Sequence, residues 1–187
     1  NYVAADGEAA FYGPKLDIQF KNVHGKEDTI ITIQIDFALA ERFDMYYIDS
    51  DGTKKRPYII HRSAIGCYER TLAMLIEKFA GSFPTWLSPN QAIVLPISDK
   101  FNDYANEVAD ELRSVGVRVN TDFRSEKIGY KIREARLERY PYILVVGEKE
   151  VTNREVNVRS RKNGEEGAVA LSELKNRIAL EILNKEN

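Results

Sequence analysis

The chain has few of the side chains that form cross-links or bind metal ions. Its 187 residues include one cysteine, Cys67, and two histidines, His24 and His61. One cysteine excludes an internal disulfide framework and is typical of a reducing compartment. These side chains do not make up a complete zinc ligand set, so any bound metal would need ligands from elsewhere.

Long apolar runs are also missing. No stretch approaches the roughly 18 consecutive apolar residues of a membrane-spanning helix, and residues 1–10 lack the charged and apolar segments of a signal peptide. We therefore expect neither membrane insertion nor secretion. The composition, 43% hydrophobic and 30% charged, is that of a globular protein with one large or two small domains.

The net charge of −2 conceals an uneven distribution of charge. Residues 113–162 contain 13 lysines and arginines against 7 aspartates and glutamates. A basic segment on a mildly acidic protein is typical of one face that meets a polyanion. It is also typical of a solvated surface with helix-stabilising ion pairs, and the charge count alone favours that alternative.

Residues 15–62 show the alternation of an antiparallel meander. Apolar residues alternate with polar ones in two runs, first Leu16, Ile18 and Phe20 and then Ile31, Ile33, Ile35 and Phe37. The dipeptide Asp51-Gly52 predicts a turn before a strand at residues 58–61. Thr32, Gln34 and Asp36 share the polar side of one strand, where they either line a ligand cleft or face solvent. The residues alone favour the alternative in which this side of the strand faces solvent.

A break at residues 83–89, which contains two prolines, predicts a domain boundary that we place between residues 87 and 88. Beyond it, strands alternate with helices. The expected strands are 92–97, 117–120, 142–146 and 156–160, and the expected helices run from Ser98 to Gly116, near 126–139 and from Ser172. This order predicts an α/β domain of about 100 residues whose largely parallel sheet is covered on both faces.

The segment from His61 to Arg70 is the most informative in the chain. It predicts a buried strand, a break at Gly66 and a helix with Arg70 in its first turn. Small residues let a ligand approach the backbone closely, and an arginine supplies a fixed cation for a phosphate. The apolar residues that follow at helical spacing are equally consistent with a core face alone. The pattern by itself leaves ligand binding and a purely structural role open.

Taken together, Gly66, Tyr68, Glu69-Arg70 and the apolar helix resemble motif 3 of class II aminoacyl-tRNA synthetases. The longer string from His61 to Leu87 resembles the threonyl-tRNA synthetase family, as do residues 11–15 and 122–134. Three blocks in the same order are far more specific than one. The resemblance implies an α/β fold in which an antiparallel-sheet remnant of a class II catalytic domain, residues 1–87, precedes the anticodon-binding domain, residues 88–187. That second domain is expected to have three α/β/α layers and a mixed, largely parallel sheet.

The resemblance also implies roles for residues of the first domain. Tyr12 is expected near the amino group of threonine, and Lys15 near its carboxylate and the α-phosphate of ATP, where two anions meet. Arg70 is expected on the γ-phosphate of ATP, which is bound with Mg²⁺. The other expected contacts with ATP or threonine are Thr32, Gln34, Gly66 and Cys67, with Asp36 a weaker member of the set. His61 matches one of three ligands of a zinc ion, Zn²⁺, that selects threonine over valine through the threonine hydroxyl group.

In the second domain the resemblance implies recognition of threonine tRNA. The helix start near residues 124–129 combines backbone donors, a helix dipole and a lysine, which suit a phosphate or a base. The alternative is a capped amphipathic helix whose Lys and Arg side chains face water. The positions that match anticodon-contacting residues are Ser125, Lys127, Arg133, Arg139, Lys149, Glu150 and Arg159. Arginine and glutamate suit the donor and acceptor edges of unstacked bases.

Motif 1, motif 2 and the other two zinc ligands of the family are absent from the sequence. We therefore expect the chain to begin in mid-domain and not to activate threonine by itself. The complete enzyme is expected to be a cytoplasmic homodimer, whereas the chain alone is compatible with a monomer. The alternative is a noncatalytic RNA-binding or regulatory module derived from a synthetase. Retention of Tyr12, Lys15, His61 and Arg70 argues against that alternative, because a scaffold does not need them.

Overall fold

The computed structural model describes residues 2–186 and contains two compact units, one that ends at Lys78 and one that begins at Phe79. Within residues 2–186, no helix combines the length and the apolar character that crossing a membrane requires. The elements of the first unit are β1 (Lys15–Lys21), β2 (Glu27–Asp36), α1 (Leu39–Arg42), β3 (Tyr47–Ile48), β4 (Lys54–Lys55), β5 (Ile59–Ser63) and α2 (Tyr68–Phe79). The predicted meander and the predicted helix after Gly66 are confirmed.

The first unit is built on an antiparallel three-stranded sheet with the strand order β1-β2-β5, and β3 pairs with β4 in a separate hairpin. Strand register places polar side chains on one face of this sheet in two rows. In the first row, Lys15 lies opposite Gln34, which lies opposite His61. The second row consists of Asp17, Thr32 and Ser63. Because opposed residues, and residues two apart on a strand, share a face, the two rows form one polar surface.

The opposite face of this sheet is apolar and open. Leu16, Ile18 and Ile60 are 55%, 49% and 67% exposed. Of the described residues up to Lys78, Ala40 is the one hydrophobic residue that is fully buried. The helix α2 has no fully buried residue, although its apolar side chains recur at helical spacing. As far as residues 2–78 are concerned, the first unit therefore has no packed core of its own.

The second unit contains a five-stranded sheet between helices. Its elements are β6 (Ala92–Pro96), α3 (Asn102–Arg113), β7 (Val119–Thr121), α4 (Ile128–Leu137), β8 (Tyr142–Val146), α5 (Glu148–Asn153), β9 (Glu155–Ser160), β10 (Gly164–Ala170) and α6 (Leu171–Leu183), with a 3₁₀ turn at Asp99–Phe101. The strand order is β10-β9-β8-β6-β7. β6 is parallel to β7 and β8, whereas β9 is antiparallel to β8 and β10. The sheet is thus mixed, and β9 alone among these strands runs against the others.

Helices cover both faces of this sheet, as predicted. On one face, Leu112 of α3 and Leu174 of α6 belong to the same buried cluster as Leu144 of β8. On the other face, Ala135 of α4 packs with Leu95 of β6. β10 is an additional strand that hydrophobic alternation does not predict, because its seven residues include two glycines and two glutamates.

Three arginines of the second unit, Arg118, Arg139 and Arg161, hold the connecting segment, residues 79–90. Arg118 donates hydrogen bonds of 2.6–3.1 Å to three backbone carbonyl groups, those of Trp86, Ser88 and Pro89. Arg139 donates to the carbonyl oxygen of Ala80 at 2.6 Å and to Oγ of Ser82 at 2.7 Å. Arg161 donates to the carbonyl oxygen of Phe83. These contacts join residues 79–90 to the unit that begins at Phe79. The domain limits 1–87 and 88–187 stay a prediction.

Candidate functional site

An open cleft of about 390 Å³ lies at the polar face of the first sheet. It forms where β2 and β5 meet the turn before β1 and the short helix α1. Its lining residues are Phe11, Tyr12, Gln34, Asp36, Ala38, Leu39, Arg42 and His61. Three residues expected at the substrate site, Tyr12, Gln34 and His61, therefore come together in one place, with Asp36 beside them.

The turn before β1 places Tyr12 at the end of β2. Gly13 is required in this turn, because a Cβ atom there would collide with the backbone oxygen of Ile35. The Tyr12 hydroxyl donates to Oε1 of Gln34 at 2.8 Å. The Tyr12 ring lies edge-on to the imidazole of His61, with ring centres 6.0 Å apart. The phenol and the amide thus form a fixed polar pair at the cleft.

Asp36 is the buried charge of the cleft, with 4% of its surface exposed. Its Oδ1 accepts hydrogen bonds from the backbone N–H groups of Ala38 and Leu39 at 2.8 and 2.9 Å. Its Oδ2 accepts from Nε2 of His61 at 3.0 Å. The hydrogen bond from His61 holds the pKa of Asp36 below its ordinary value of 3.8. Because this bond occupies Nε2, Nδ1 is the ring nitrogen left for another partner.

His61 is the one zinc ligand that the sequence resemblance implies in this chain. A carboxylate partner such as Asp36 is usual for histidines that bind metals. Nevertheless, nowhere between residues 2 and 186 do three His, Cys, Asp or Glu side chains lie together in a way that holds a metal ion. The residues present therefore do not make up a zinc site by themselves.

A second polar group on the same face contains Lys15 and Thr32, which are joined by Asp17. Oδ2 of Asp17 lies 2.8 Å from Nζ of Lys15, and Oδ1 accepts from the Thr32 hydroxyl at 2.7 Å. Hydrogen bonding within the ion pair raises the pKa of Lys15 and lowers that of Asp17. Motif reasoning does not identify Asp17. Its one signal in the sequence is its alternation with Lys15 on β1, which a solvent-facing strand also explains.

Gly66, Cys67 and Arg70 lie at the start of α2 and do not line the cleft. Gly66 has a φ of +68°, and a Cβ atom would lie 2.8 Å from the carbonyl oxygen of Ile30, so the backbone itself requires glycine. The Cys67 thiol donates to Oε2 of Glu69 at 2.7 Å. Arg70 is exposed. Its guanidinium group is therefore accessible to a ligand.

The expected anticodon contacts lie around α4 and α5 and on β9. Ser125 and Lys127 are exposed in the loop that leads into α4, and Arg133 is exposed on α4 itself. Lys149 is exposed in the first turn of α5. Glu150 accepts a hydrogen bond of 2.9 Å from a backbone N–H at the start of α5, so its carboxylate already caps that helix.

The two remaining candidates, Arg139 and Arg159, already have protein partners. Arg159 donates to Oε1 of Glu165 at 2.7 Å, while its buried Nε atom has no hydrogen-bond partner within residues 2–186. Arg139 has a φ of +61° and binds the connecting segment through one guanidinium nitrogen. Only its other guanidinium atoms are left for an RNA ligand.

The alternative given for α4, an amphipathic helix whose Lys and Arg side chains face water, is wrong at one position. Lys131 is 4% exposed, and its Nζ donates to the carbonyl oxygen of Asp122 at 2.9 Å. Arg124, in the loop before α4, donates to the carboxylates of Asp122 and Glu134 at 2.8 and 2.5 Å. A buried ammonium group needs a hydrogen-bond acceptor, and for Lys131 this is the carbonyl oxygen of Asp122. Lys131 therefore fixes the loop before α4 and does not present its charge to a ligand.

Comparison with protein families gives one match for each part of the chain. Residues 3–79 match the family described as tRNA synthetase class II core domain (G, H, P, S and T). Residues 91–180 match the family described as anticodon binding domain. Between them the two families account for most of the sequence.

Individual relatives give a more specific result. The chain is 78% identical over 187 residues to the threonine–tRNA ligase of Clostridium perfringens and 73% identical over 186 residues to that of Clostridium botulinum. Each alignment covers 100% of this chain but 29% of the relative, so the chain spans less than a third of the length of these relatives. A crystal structure described as the RNA binding domain of threonyl-tRNA synthetase from Cryptosporidium parvum Iowa II superimposes with a TM-score of 0.81 at 39% identity, covering 93% of this chain and 44% of that one. Over its whole length the chain is therefore similar to threonine–tRNA ligases, and it matches a class II synthetase core domain followed by an anticodon-binding domain.

Proposed function

We propose that this chain is the part of a threonine–tRNA ligase that contacts threonine and ATP through its first unit and the anticodon of threonine tRNA through its second. One observation carries the proposal. In a chain that is 78% identical to a threonine–tRNA ligase, the cleft residues Tyr12, Gln34 and His61 share a sheet face with the group Lys15, Asp17 and Thr32.

Activation of threonine brings two anions together, and the chain supplies cations to compensate. A carboxylate oxygen of threonine attacks the α-phosphorus of ATP, the bond from that phosphorus to the oxygen that bridges to the β-phosphate breaks, and pyrophosphate leaves. Mg²⁺ bound with ATP would supply further positive charge to the phosphates. Lys15 compensates the charge that develops at the α-phosphate, and Arg70 binds the γ-phosphate. Tyr12 meets the amino group of threonine. A ribose hydroxyl of the tRNA then attacks the threonyl carbonyl carbon, and AMP leaves.

The other proposed contacts in the first unit shape the pocket. Thr32 and Gln34 form its floor, Gly66 leaves room for the adenine, and Cys67 lies beside the nucleotide. His61 is proposed as one ligand of a zinc ion whose further ligands come from other segments of the complete enzyme. The activation step above depends on the chain's own residues and not on that zinc ion.

In the second unit we propose recognition of the anticodon. The proposed contacts are Ser125, Lys127, Arg133, Arg139, Lys149, Glu150 and Arg159. The support is the exposure of the loop before α4 and of the first turn of α5, within the most basic part of the sequence. We also propose that the complete enzyme works in the cytoplasm as a homodimer.

A noncatalytic tRNA-binding or RNA-binding module is the second candidate function. The observation that favours it is the contrast in packing, since the second unit has a buried core and the first does not. RNA binding can therefore persist in the chain without activation of threonine. Such a module would need neither Lys15 nor Arg70.

ATP–pyrophosphate exchange in the presence of threonine separates the two functions. In a complete ligase that carries these residues, Lys15→Ala or Arg70→Ala should lower kcat by about 100-fold or more, because each removes a cation from the transition state. The 187-residue chain alone should show no exchange. Exchange at full rate by the chain alone would contradict its proposed dependence on the rest of the enzyme. Unchanged kcat in both variants would favour the noncatalytic module.

Binding of tRNA to the chain tests the second unit. Lys127→Ala and Arg159→Ala should each weaken binding by about 1–3 kcal/mol if they contact the anticodon. A loss confined to threonine tRNA would support contact with bases, whereas an equal loss for every tRNA would restrict the role to phosphates. Arg136→Ala is the matched control, because Arg136 is exposed on α4 and is not a proposed contact.

A further inference from the structure

We propose that Asp17 is a positioning residue of the activation site, which holds the Lys15 ammonium group and the Thr32 hydroxyl group in place for the substrates. The proposal rests on the function proposed above for Lys15. It adds a residue that lies outside the motif resemblance and is identified by its contacts alone.

The geometry follows from strand register. Lys15 and Asp17 are two residues apart on β1, so both side chains lie on the polar face, and Thr32 lies directly opposite Asp17 on β2. Each carboxylate oxygen of Asp17 then has one partner, Nζ of Lys15 at 2.8 Å and Oγ1 of Thr32 at 2.7 Å. The side chain of Asp17 is 16% exposed against 32% for Lys15, so the carboxylate is better shielded than the ammonium group.

Restraint matters for a lysine more than for most cations. A lysine side chain has a flexible four-carbon stem, and fixing it costs conformational entropy whenever it acts. Asp17 takes one of the three N–H donors of Lys15 and leaves two for ligands. A cation that is already in place needs no reorganisation when charge develops on the substrate, which is how fixed charges lower a reaction barrier.

A second ion pair on the same two strands provides a contrast. Lys21 and Glu27 are also opposed across β1 and β2, but their charged atoms are 3.9 Å apart and both side chains are more than half exposed. An exposed pair of this kind contributes little to stability. Unlike Glu27, Asp17 binds two partners at short distance, and both partners are proposed substrate contacts. Strand pairing alone does not account for that arrangement.

The first test uses steady-state ATP–pyrophosphate exchange in a complete ligase that carries these residues. Asp17→Ala should lower kcat by about 10- to 100-fold while the KM for ATP changes by less than about threefold, because positioning acts mainly in the transition state. Asp17→Asn keeps an oxygen acceptor and should recover part of the loss. Glu27→Gln is the control and should leave kcat unchanged. Equal effects of Asp17→Ala and Glu27→Gln would overturn the proposal.

The second test asks whether Asp17 acts through Lys15. In a Lys15→Ala background, Asp17→Ala should lower kcat by no more than about twofold, because its charged partner is gone and only the contact with Thr32 remains. Losses that multiply would overturn the proposal, and so would a fall in Tm of Asp17→Ala with kcat unchanged. If Lys15→Ala itself has no effect, the proposed function of Lys15 fails. If Lys15→Ala impairs exchange and Asp17→Ala does not, only the inference about Asp17 fails.

Discussion

The two units of the chain hold their candidate functional surfaces in different ways. In the second unit, Leu112, Leu144 and Leu174 have no exposed surface and lie between the sheet and its helices. In the first unit, as far as residues 2–78 are concerned, Ala40 is the one fully buried hydrophobic residue, and Ile60 is 67% exposed. One surface is supported by a core, and the other is not.

In the first unit, hydrogen bonds between side chains of neighbouring strands and turns hold the candidate site residues in place. Tyr12 bonds to Gln34, Asp36 to His61, and Asp17 to Thr32. Such contacts fix side-chain positions, but each stabilises the fold by only about 0.5–1.5 kcal/mol. The removal of one buried leucine costs more than that. When the chain is studied alone, we therefore expect the first unit to be the less stable of the two.

The largest expected effect comes from a change in the second core. Leu144→Ala should lower the free energy of unfolding of the second unit by about 2–5 kcal/mol, because it leaves a cavity among fully buried side chains. Ile60→Ala should change the stability of the first unit by less than about 0.5 kcal/mol, because the side chain is exposed. Native-state hydrogen exchange of peptides from each unit measures both. Comparable losses would mean that the first unit has a core after all.

The next effect concerns the connecting segment, residues 79–90. Arg118→Ala removes a charged donor from three backbone carbonyl groups and should cost about 1–3 kcal/mol. Limited proteolysis should then cleave this segment faster, and the fluorescence of Trp86, which lies in it, should change at lower urea concentration. Arg136→Ala, on the exposed side of α4, is the control. Equal cleavage rates in the two variants would show that Arg118 does not hold the segment.

The sequence predicts most of the second unit because its signals are local. The apolar run at residues 92–96 is buried at every position, and Tyr104, Val108 and Leu112 of α3 all face the core, as their spacing indicates. β10 has no such signal, since it is defined by its pairing with β9. The burial of Lys131 is likewise invisible to helical periodicity, because its partner is a loop carbonyl nine residues away.

The candidate site is less predictable because it depends on register. Period-two alternation places Thr32, Gln34 and Asp36 on one face, but it does not say which residues of β1 and β5 lie opposite them. The register shifts between Ile18 and Gln19, and a slip of one residue would turn every side chain of β1 to the other face. The pairing of Asp17 with Thr32 therefore becomes visible only in the folded sheet.

The smallest expected effect is a response to acid that distinguishes the two units. The hydrogen bond from His61 keeps the pKa of Asp36 below 3.8, so the folded state favours the carboxylate. That contribution is complete above the unfolded pKa and is lost as the pH falls through the folded pKa. Lowering the pH from about 5 to about 3 should therefore reduce hydrogen-exchange protection, after correction for intrinsic rates, in β2 more than in β6. Asp36→Asn should remove the part of this pH dependence in β2 that comes from Asp36, because the amide does not titrate, and should leave the part that comes from Asp17. Equal losses in β2 and β6 would mean that carboxylate contacts do not take the place of a core in the first unit.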